Sequence, residues 1–361
     1  MDYKDSGVNI ELGDDASKIL YNAAKLTWEN RKGCLGEIVE LYPDFSGLRA
    51  IHVGGLPEDA YMNIGFDGVG TKVELAERIE KHDTVAYDLF AMVCDDAVIR
   101  GAEPVLVGSI LDVNSLDGNI ELIKQLAVGY INAAKDANVA IVNGEVAELG
   151  ARVCGYGKFN YNWGASVVWF GRKSKLLNGN DIKEGDYLIG LKEDGFRSNG
   201  LSLARKIMKD EFEDDWHRSK LNGKNLGELF LQPSRIYTKA VVEMFGGFYE
   251  EPKAKIHGIA HITGGGVPGK LGRMLKPSGL GAYLCDLFEP SDVMLYCQDL
   301  GNVSDEEAYK TWNMGQGMII ATPEPEKVIG IANYHNIDAK VVGEVVAEGI
   351  KVKSKGLHRK C

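Results

Sequence analysis

Several things are scarce in this chain, and each scarcity removes a class of function. The six cysteines include no Cys-x-x-Cys pair, and no Cys/His cluster has zinc spacing. Scattered thiols in a chain of this size, without a signal peptide, read as reduced residues of a cytosolic protein. Basic residues are outnumbered, 41 Lys and Arg against 52 Asp and Glu, for a net charge of −11. A nucleic-acid surface needs clustered basic side chains, so none is expected. No apolar run is long enough to span a membrane, and there is no low-complexity segment. The spacing of Gly, four residues, then Gly-Lys-Ser/Thr is missing as well.

What the chain does have is glycine, 44 of its 361 residues, much of it in short runs beside acidic or basic groups. The length suits two domains of ordinary size. The most informative stretch is Asn63 to Lys72. A strand-like run, Tyr61 to Phe66, ends in Asp67-Gly68-Val69-Gly70-Thr71-Lys72. Glycines there allow tight turns and close approach of backbone N–H groups to an anion. Lys72 offers a positive charge, and Asp67 an oxygen for a hard cation such as Mg²⁺. An isolated match of this kind is equally compatible with a hairpin turn and a solvated lysine.

Alternating helical and extended patterns run through the chain. In the first half, the spacing predicts helices over 15–32, 83–100 (capped by Asp83) and 119–138, and strands over 61–66, 104–113, 139–142 and 166–170. A basic, glycine-containing connector, 171–185, is the best boundary, giving halves 1–172 and 173–361. The second half repeats the alternation, with strands over 187–191, 256–262, 280–285, 317–322 and 340–346. Helices are expected over 198–212, 233–245, 267–275 and 325–335. The fold class is α/β (α+β) in two domains.

Four further constellations could carry chemistry. Asp88 and Asp95 fall on nearly one face of the 83–100 helix, with Asp96 rotated away, on an otherwise apolar segment. Either a divalent metal answers these carboxylates or they mark a solvent face. Glu145 and Glu148 follow the 139–142 strand, a common place for ligand chemistry in α/β folds. Asp194 to Gly200 opens a helix with Ser198 as a plausible N-cap; its first-turn N–H groups favour an anion, to which Arg197 could add a charge-assisted contact. His257 to Gly266 is a strand running into three glycines, again an anion-binding pattern, with His261 beside it. Each also has a bland explanation as a capped turn or a structural histidine.

Taken together and in order, these motifs resemble the phosphoribosylformylglycinamidine cyclo-ligase (aminoimidazole ribonucleotide synthetase) family, across nearly the whole chain. The resemblance is carried by Tyr3 to Val8, Asp67 to Lys72, His82-Asp83-Thr84 with Asp88-Leu89, Asp96, Gly101 to Pro104, Gly144-Glu145 with Ala147-Glu148, Ser198-Asn199-Gly200, Arg235-Ile236-Tyr237 and Ile259 to Gly266. The opening Tyr-x-Asp-x-Gly-Val separates this family from selenophosphate synthetase and thiamine-monophosphate kinase, which share the fold.

The resemblance implies ATP-driven ring closure of formylglycinamidine ribonucleotide. ATP activates the formyl oxygen, the amidine nitrogen attacks, and phosphate leaves. It implies an N-terminal ATP-binding domain whose strands form a barrel across a homodimer, and a C-terminal substrate domain. By carry-over, Asp67, Asp96 and Glu145 are the expected Mg²⁺ ligands, and Lys72 and His261 the catalytic candidates. Lys4 and Asp5 of a flap, Asp67, Gly68, Val69, Gly70, Thr71, Lys72 and Asp88 would hold ATP. Arg197, Ser198, Asn199, Gly200, Thr263, Gly264, Gly265 and Gly266 would hold the ribonucleotide. The chain departs from the family pattern with Asp95 for the usual Asn, Arg197 for the usual His, Leu149-Gly150-Ala151 for Met-Pro-Gly, and an unusual 152–163 segment. Two alternatives stay open: another ATP-dependent phosphotransferase or ligase of the superfamily, and a non-catalytic ATP-binding subunit.

Overall fold

The structure, a computed structural model, describes residues 9–41 and 48–357. Lys4 and Asp5 lie outside the described residues. The chain divides into two compact units. The first runs to Ser174 except for Val98–Ala102, and the second comprises that short segment and everything from Lys175 onward.

The first unit is built on a four-stranded sheet of β3 (Ala60–Gly68), β4 (Glu103–Val113), β5 (Ala140–Glu148) and β6 (Tyr161–Arg172), in the order β3-β6-β4-β5. β6 is antiparallel to both neighbours, and β4 and β5 run parallel. A small antiparallel pair, β1 (Ile38–Glu40) and β2 (Arg49–Ile51), lies apart from this sheet. The helices are α1 (Ile10–Thr27), α2 (Val73–Ile79), α3 (Val85–Val98) and α4 (Ile120–Ala137).

Alternation along β6 shows how the sheet divides its faces. Tyr161, Trp163, Ala165 and Val167 are buried, whereas Asn162, Gly164, Ser166 and Val168 point the other way. That second face is apolar and open: Met62, Ile64, Phe66 and Ile110 are 60%, 46%, 74% and 57% exposed. β5 is an edge strand, and the end of α1 blunts it. Thr27 Oγ1 accepts from Ile141 N (2.8 Å), and Trp28 Nε1 donates to Ile141 O (2.8 Å).

The second unit carries a six-stranded sheet of β7 (Tyr187–Lys192), β10 (Gly258–His261), β11 (Gly281–Leu284), β12 (Gln316–Thr322), β13 (Ala339–Val346) and β14 (Ile350–Val352). Their order is β10-β12-β7-β13-β11-β14, antiparallel except for β11 with β14. A two-residue pair, β8 (Lys220–Leu221) and β9 (Lys224–Asn225), is separate. The helices are α5 (Leu201–Phe212), α6 (Leu226–Phe230), α7 (Thr238–Phe245), α8 (Gly266–Leu275), α9 (Asp292–Leu300), α10 (Asp305–Thr311) and α11 (Pro325–Tyr334). Ile189, Leu191, Val241, Met244, Ile320 and Val328 belong to its core, where sheet meets helices.

Three expectations are corrected. The strand expected over 139–142 continues to Glu148, so Asn143, Glu145 and Glu148 sit on the strand itself, not beyond its end. Pairing with β4 as far as Val113↔Glu148 sustains it. The helix expected from Ser198 starts at Leu201, with Gly200 (φ 74°) at the cap position, so Ser198 is not the N-cap. The helix expected from Pro233 starts at Thr238, because residues before it are used elsewhere: Arg235 N donates to Glu193 Oε2 (3.2 Å). The elements the patterns missed, β1, β2, α2, β8, β9, α6, α9, α10 and β14, are all ten residues or fewer.

Candidate active site

In the first unit the outward sheet face contains a groove of about 600 Å³, lined by Phe66, Asp67, Ile110 and Glu145 among others. Small residues make its floor: Gly108, Gly144, Gly164 and Ser166. Their positions on paired strands, Ile110↔Gly164 and Ile110↔Glu145, place Glu145 across the floor from β6. A second cavity of about 780 Å³, which includes Tyr21, Arg49 and Tyr130, shares Ser109, Asn143, Gly144 and Glu145 with the groove. Arg49 lies over the Tyr21 ring, 4.7 Å from its centroid. Ser109 Oγ and Tyr130 Oη are 2.7 Å apart, and burial pushes the Tyr130 phenol up. Nothing in the sequence patterns singled out Tyr21, Arg49 or Tyr130; they come from three separate elements, α1, β2 and α4, of which α1 packs against α4 and β5.

The Asp67–Lys72 turn is tightly organised. Asp67 Oδ1 accepts from Gly68 N (2.7 Å), and Val69 N donates to Trp163 O (3.0 Å). Two of the backbone donors expected to cradle an anion are thus already engaged within the protein. Gly70 takes φ 67° and opens a 3-10 turn through Lys72. Lys72 does not reach solvent. Its Nζ lies 2.6 Å from Asp88 Oδ1, and both side chains are fully buried. Asp88 therefore does not mark a solvent face; it stands in an internal ion pair. Asp95 is also fully buried, while Asp96 is exposed on α3. Among the described residues, no group of three or more His, Cys, Asp or Glu stands close enough to hold a metal ion, so Asp67, Asp96 and Glu145 are not such a group in this conformation.

Around this turn, His82 is 1% exposed, with Nδ1 3.0 Å from Tyr161 Oη. Desolvation lowers its pKa to about 4, Asp83 acting weakly in the other direction. The 152–163 segment is anchored by Glu77, which accepts from Tyr156 N (2.9 Å) and Tyr161 N (3.3 Å). Burial raises the Glu77 carboxyl above its ordinary value against those bonds. Glu148 is likewise structural: its carboxylate accepts from Leu116 N (2.8 Å) and Asn9 N (3.1 Å).

In the second unit the two expected loops do meet. A side chain added at Gly264 would stand 3.1 Å from Asn199 Oδ1. Gly265 (φ 95°) and Gly266 (φ 57°) turn the chain into α8, and Gly266 could carry no side chain without striking Tyr309 O. Ser198 Oγ is a buried atom without a hydrogen-bond partner. Arg197 is 1% exposed; its Nη1 donates to Glu193 Oε2 (2.7 Å) and to Arg235 O (3.1 Å), and its Nη2 to His261 Nε2 (2.7 Å). It is an internal strut, so the geometry does not give it the anion contact expected from the sequence. Arg235 in turn lies 2.7 Å from Asp194, and although burial alone would raise the Asp194 carboxyl, Arg235 holds it below its ordinary range. Glu193, hub of this network at 1% exposure, carried no motif signal.

The two units, each a mixed sheet-and-helix body with glycine loops at strand ends, are matched by two family models. The model described as "AIR synthase related protein, N-terminal domain" matches residues 50–165, and that described as "AIR synthase related protein, C-terminal domain" matches 183–355. The chain belongs to the AIR synthase related family.

Curated relatives extend the match. The phosphoribosylformylglycinamidine cyclo-ligase of Methanocaldococcus jannaschii is 37% identical over 95% of this chain and 92% of its own. That of Acetivibrio thermocellus is 36% identical over 97% and 99%. Among solved structures, thiamine-monophosphate kinase from Stenotrophomonas maltophilia K279a superposes with a TM-score of 0.60 at 12% identity, covering 91% of this chain and 95% of that one. HypE of E. coli gives 0.59 at 15% identity, covering 94% of each. These structures share the fold.

Proposed function

We propose that this protein closes the imidazole ring of formylglycinamidine ribonucleotide at the expense of ATP, releasing 5-aminoimidazole ribonucleotide, ADP and phosphate. The observation that carries the reading is the similarity, along nearly its full length, to curated proteins bearing the cyclo-ligase name. In the reaction the γ-phosphoryl group passes to the formyl oxygen, the amidine nitrogen attacks that carbon, and the C–O bond breaks with phosphate as leaving group. The formyl oxygen departs in the phosphate, so the ribonucleotide loses one water overall.

The groove of the first unit supports a role in holding ATP. Its size is that of an ordinary small-molecule site. Mg²⁺ is commonly held by one or two carboxylates together with substrate phosphates, so it needs no preformed cluster of three. Asp67 and Glu145, both exposed on the groove lining, fit that donor set. A divalent cation there would offset phosphate charge. Asp96 is not among the lining residues and is proposed as a ligand only through movement of its surroundings. Lys72, with Asp88, acts from beneath: the buried pair stiffens the turn that presents Asp67, Gly70 and Thr71. Lys4 and Asp5 are proposed as a flap over ATP. The ribonucleotide is assigned to the second unit, at Ser198, Asn199, Gly200 and Thr263–Gly266, where hydroxyl and backbone donors converge.

The open apolar face of the first sheet favours a homodimer in which two such sheets close a barrel. No helix among the described residues is long and apolar enough to cross a membrane, and a cytoplasmic location is part of the proposal. The test is ADP release from Mg-ATP with and without formylglycinamidine ribonucleotide, with the mass of the product. Substrate-dependent ADP release, with loss of one water per ADP, is expected. ATP turnover indifferent to the ribonucleotide would sink the reading.

A further inference from the structure

We infer that Arg197 is a positioning residue that fixes His261 in a single uncharged tautomer, with the proton on Nδ1 and the Nε2 lone pair engaged. A guanidinium has only donors and keeps its charge. Arg197 Nη2 lies 2.7 Å from His261 Nε2, so Nε2 must accept. A proton there would set N–H against N–H and cation against cation. Turning the ring over would set a C–H against the guanidinium at the same short distance. Both side chains are almost wholly buried, at 1% and 2% exposure, so water does not mediate the contact.

The groups around the guanidinium account for its charge without calling on His261. Glu193 faces it from the end of β7, its Oε2 2.7 Å from Nη1. The same carboxylate accepts from Asp194 N (3.0 Å) and Arg235 N (3.2 Å), and Tyr237 Oη lies 3.4 Å from it. The Tyr237 ring lies beneath the guanidinium at 5.4 Å. Arg235, the other cation nearby, is taken by Asp194. Arg197 holds a left-handed backbone, φ 59°, a conformation a non-glycine residue adopts only when its surroundings enforce it. Its side-chain bonds to Glu193, to the carbonyl of Arg235 and to His261 supply that enforcement and bring Ser198 and Asn199 round to Gly264.

Two consequences follow for the reaction proposed above, on which they rest. His261 has neither a proton to give nor a lone pair to offer at Nε2, so any proton it moves travels through Nδ1. Arg197 lends no charge to a substrate phosphate held between the two loops.

The test is long-range ¹H–¹⁵N correlation of histidine side chains in the full-length protein at neutral pH, with H261Q to assign the signals. The wild type is expected to show His261 protonated at Nδ1 with a non-protonated, hydrogen-bonded Nε2. Arg197→Gln, which loses the charged donor, is expected to populate the Nε2-protonated tautomer, and Arg197→Lys to keep the wild-type one. A proton on Nε2 in the wild type overturns the inference, whatever the variants do. So does an unchanged tautomer in a folded R197Q protein. Failure of ribonucleotide turnover with the expected tautomer in place would overturn the reaction instead and leave this assignment standing.

Discussion

Residues that look alike in the sequence separate sharply once burial is known. Asp67 and Glu145 are exposed on a groove, whereas Asp88 and Asp95 are fully buried. Asp67→Asn and Glu145→Gln should therefore fold normally and lower kcat by about 100-fold or more, the scale on which removal of one preorganised electrostatic group acts. Circular dichroism alongside turnover checks both halves of that expectation. Lys72 behaves oppositely. Lys72→Met strands the Asp88 carboxylate without its counter-charge and should cost about 3–5 kcal/mol of stability, read by denaturant unfolding. Pairing it with Asp88→Leu should recover much of the loss.

His82 supplies the pH dependence. Its folded pKa is depressed to about 4 from an unfolded value of 6.5. Between those values the unfolded chain binds a proton that the folded chain refuses, so stability falls as pH drops through that window and then levels off. The integrated effect is at most about 3 kcal/mol. Thermal melts of the wild type should show this slope, and His82→Gln should lose it. Glu77, with its raised pKa, works in the opposite sense as it protonates, which makes the difference between the two proteins the proper readout.

Elements were legible in the sequence where their pattern was long. The expected helix over 119–138 and the observed α4, Ile120–Ala137, agree almost to the residue, because buried positions such as Ile123, Leu126, Tyr130 and Ala134 recur at helical spacing. β5 was read too short, since beyond Val142 its side chains, Asn143 and Glu145, are polar and its continuation depends on pairing with β4. The Asp67–Lys72 turn was visible as a motif. That its lysine points inward was not, because the partner, Asp88, is sixteen residues away on another helix. Arg197 misled for the same reason: its partners Glu193, Arg235 and His261 come from three separate segments.

The groove floor gives a test at this scale. Gly164 has ordinary backbone angles, and the nearest atom to an added Cβ would be 3.9 Å away. Gly164→Val should keep the sheet intact and fill the groove. Isothermal titration should then show ATP affinity reduced at least about tenfold with no loss of thermal stability.

At the scale of the molecule, the relatives match this chain over nearly all its length, so both units fall within the match. The open face of the first sheet, where Met62 and Ile64 are exposed, favours the proposed interface. Sedimentation should show a dimer. Met62→Asp with Ile64→Asp, two charges on each side of a closed barrel repelling the others, should give a folded monomer; a wild-type monomer would remove the barrel from the proposal.

The decisive measurement follows the oxygen. Formylglycinamidine ribonucleotide carrying ¹⁸O in the formyl group is turned over with Mg-ATP, and the inorganic phosphate is analysed by mass. The label is expected in the phosphate, one atom per ring closed, as transfer of the γ-phosphoryl group to that oxygen requires. Label released to water, with unlabelled phosphate, would contradict ATP activation of the formyl oxygen and with it the proposed reaction.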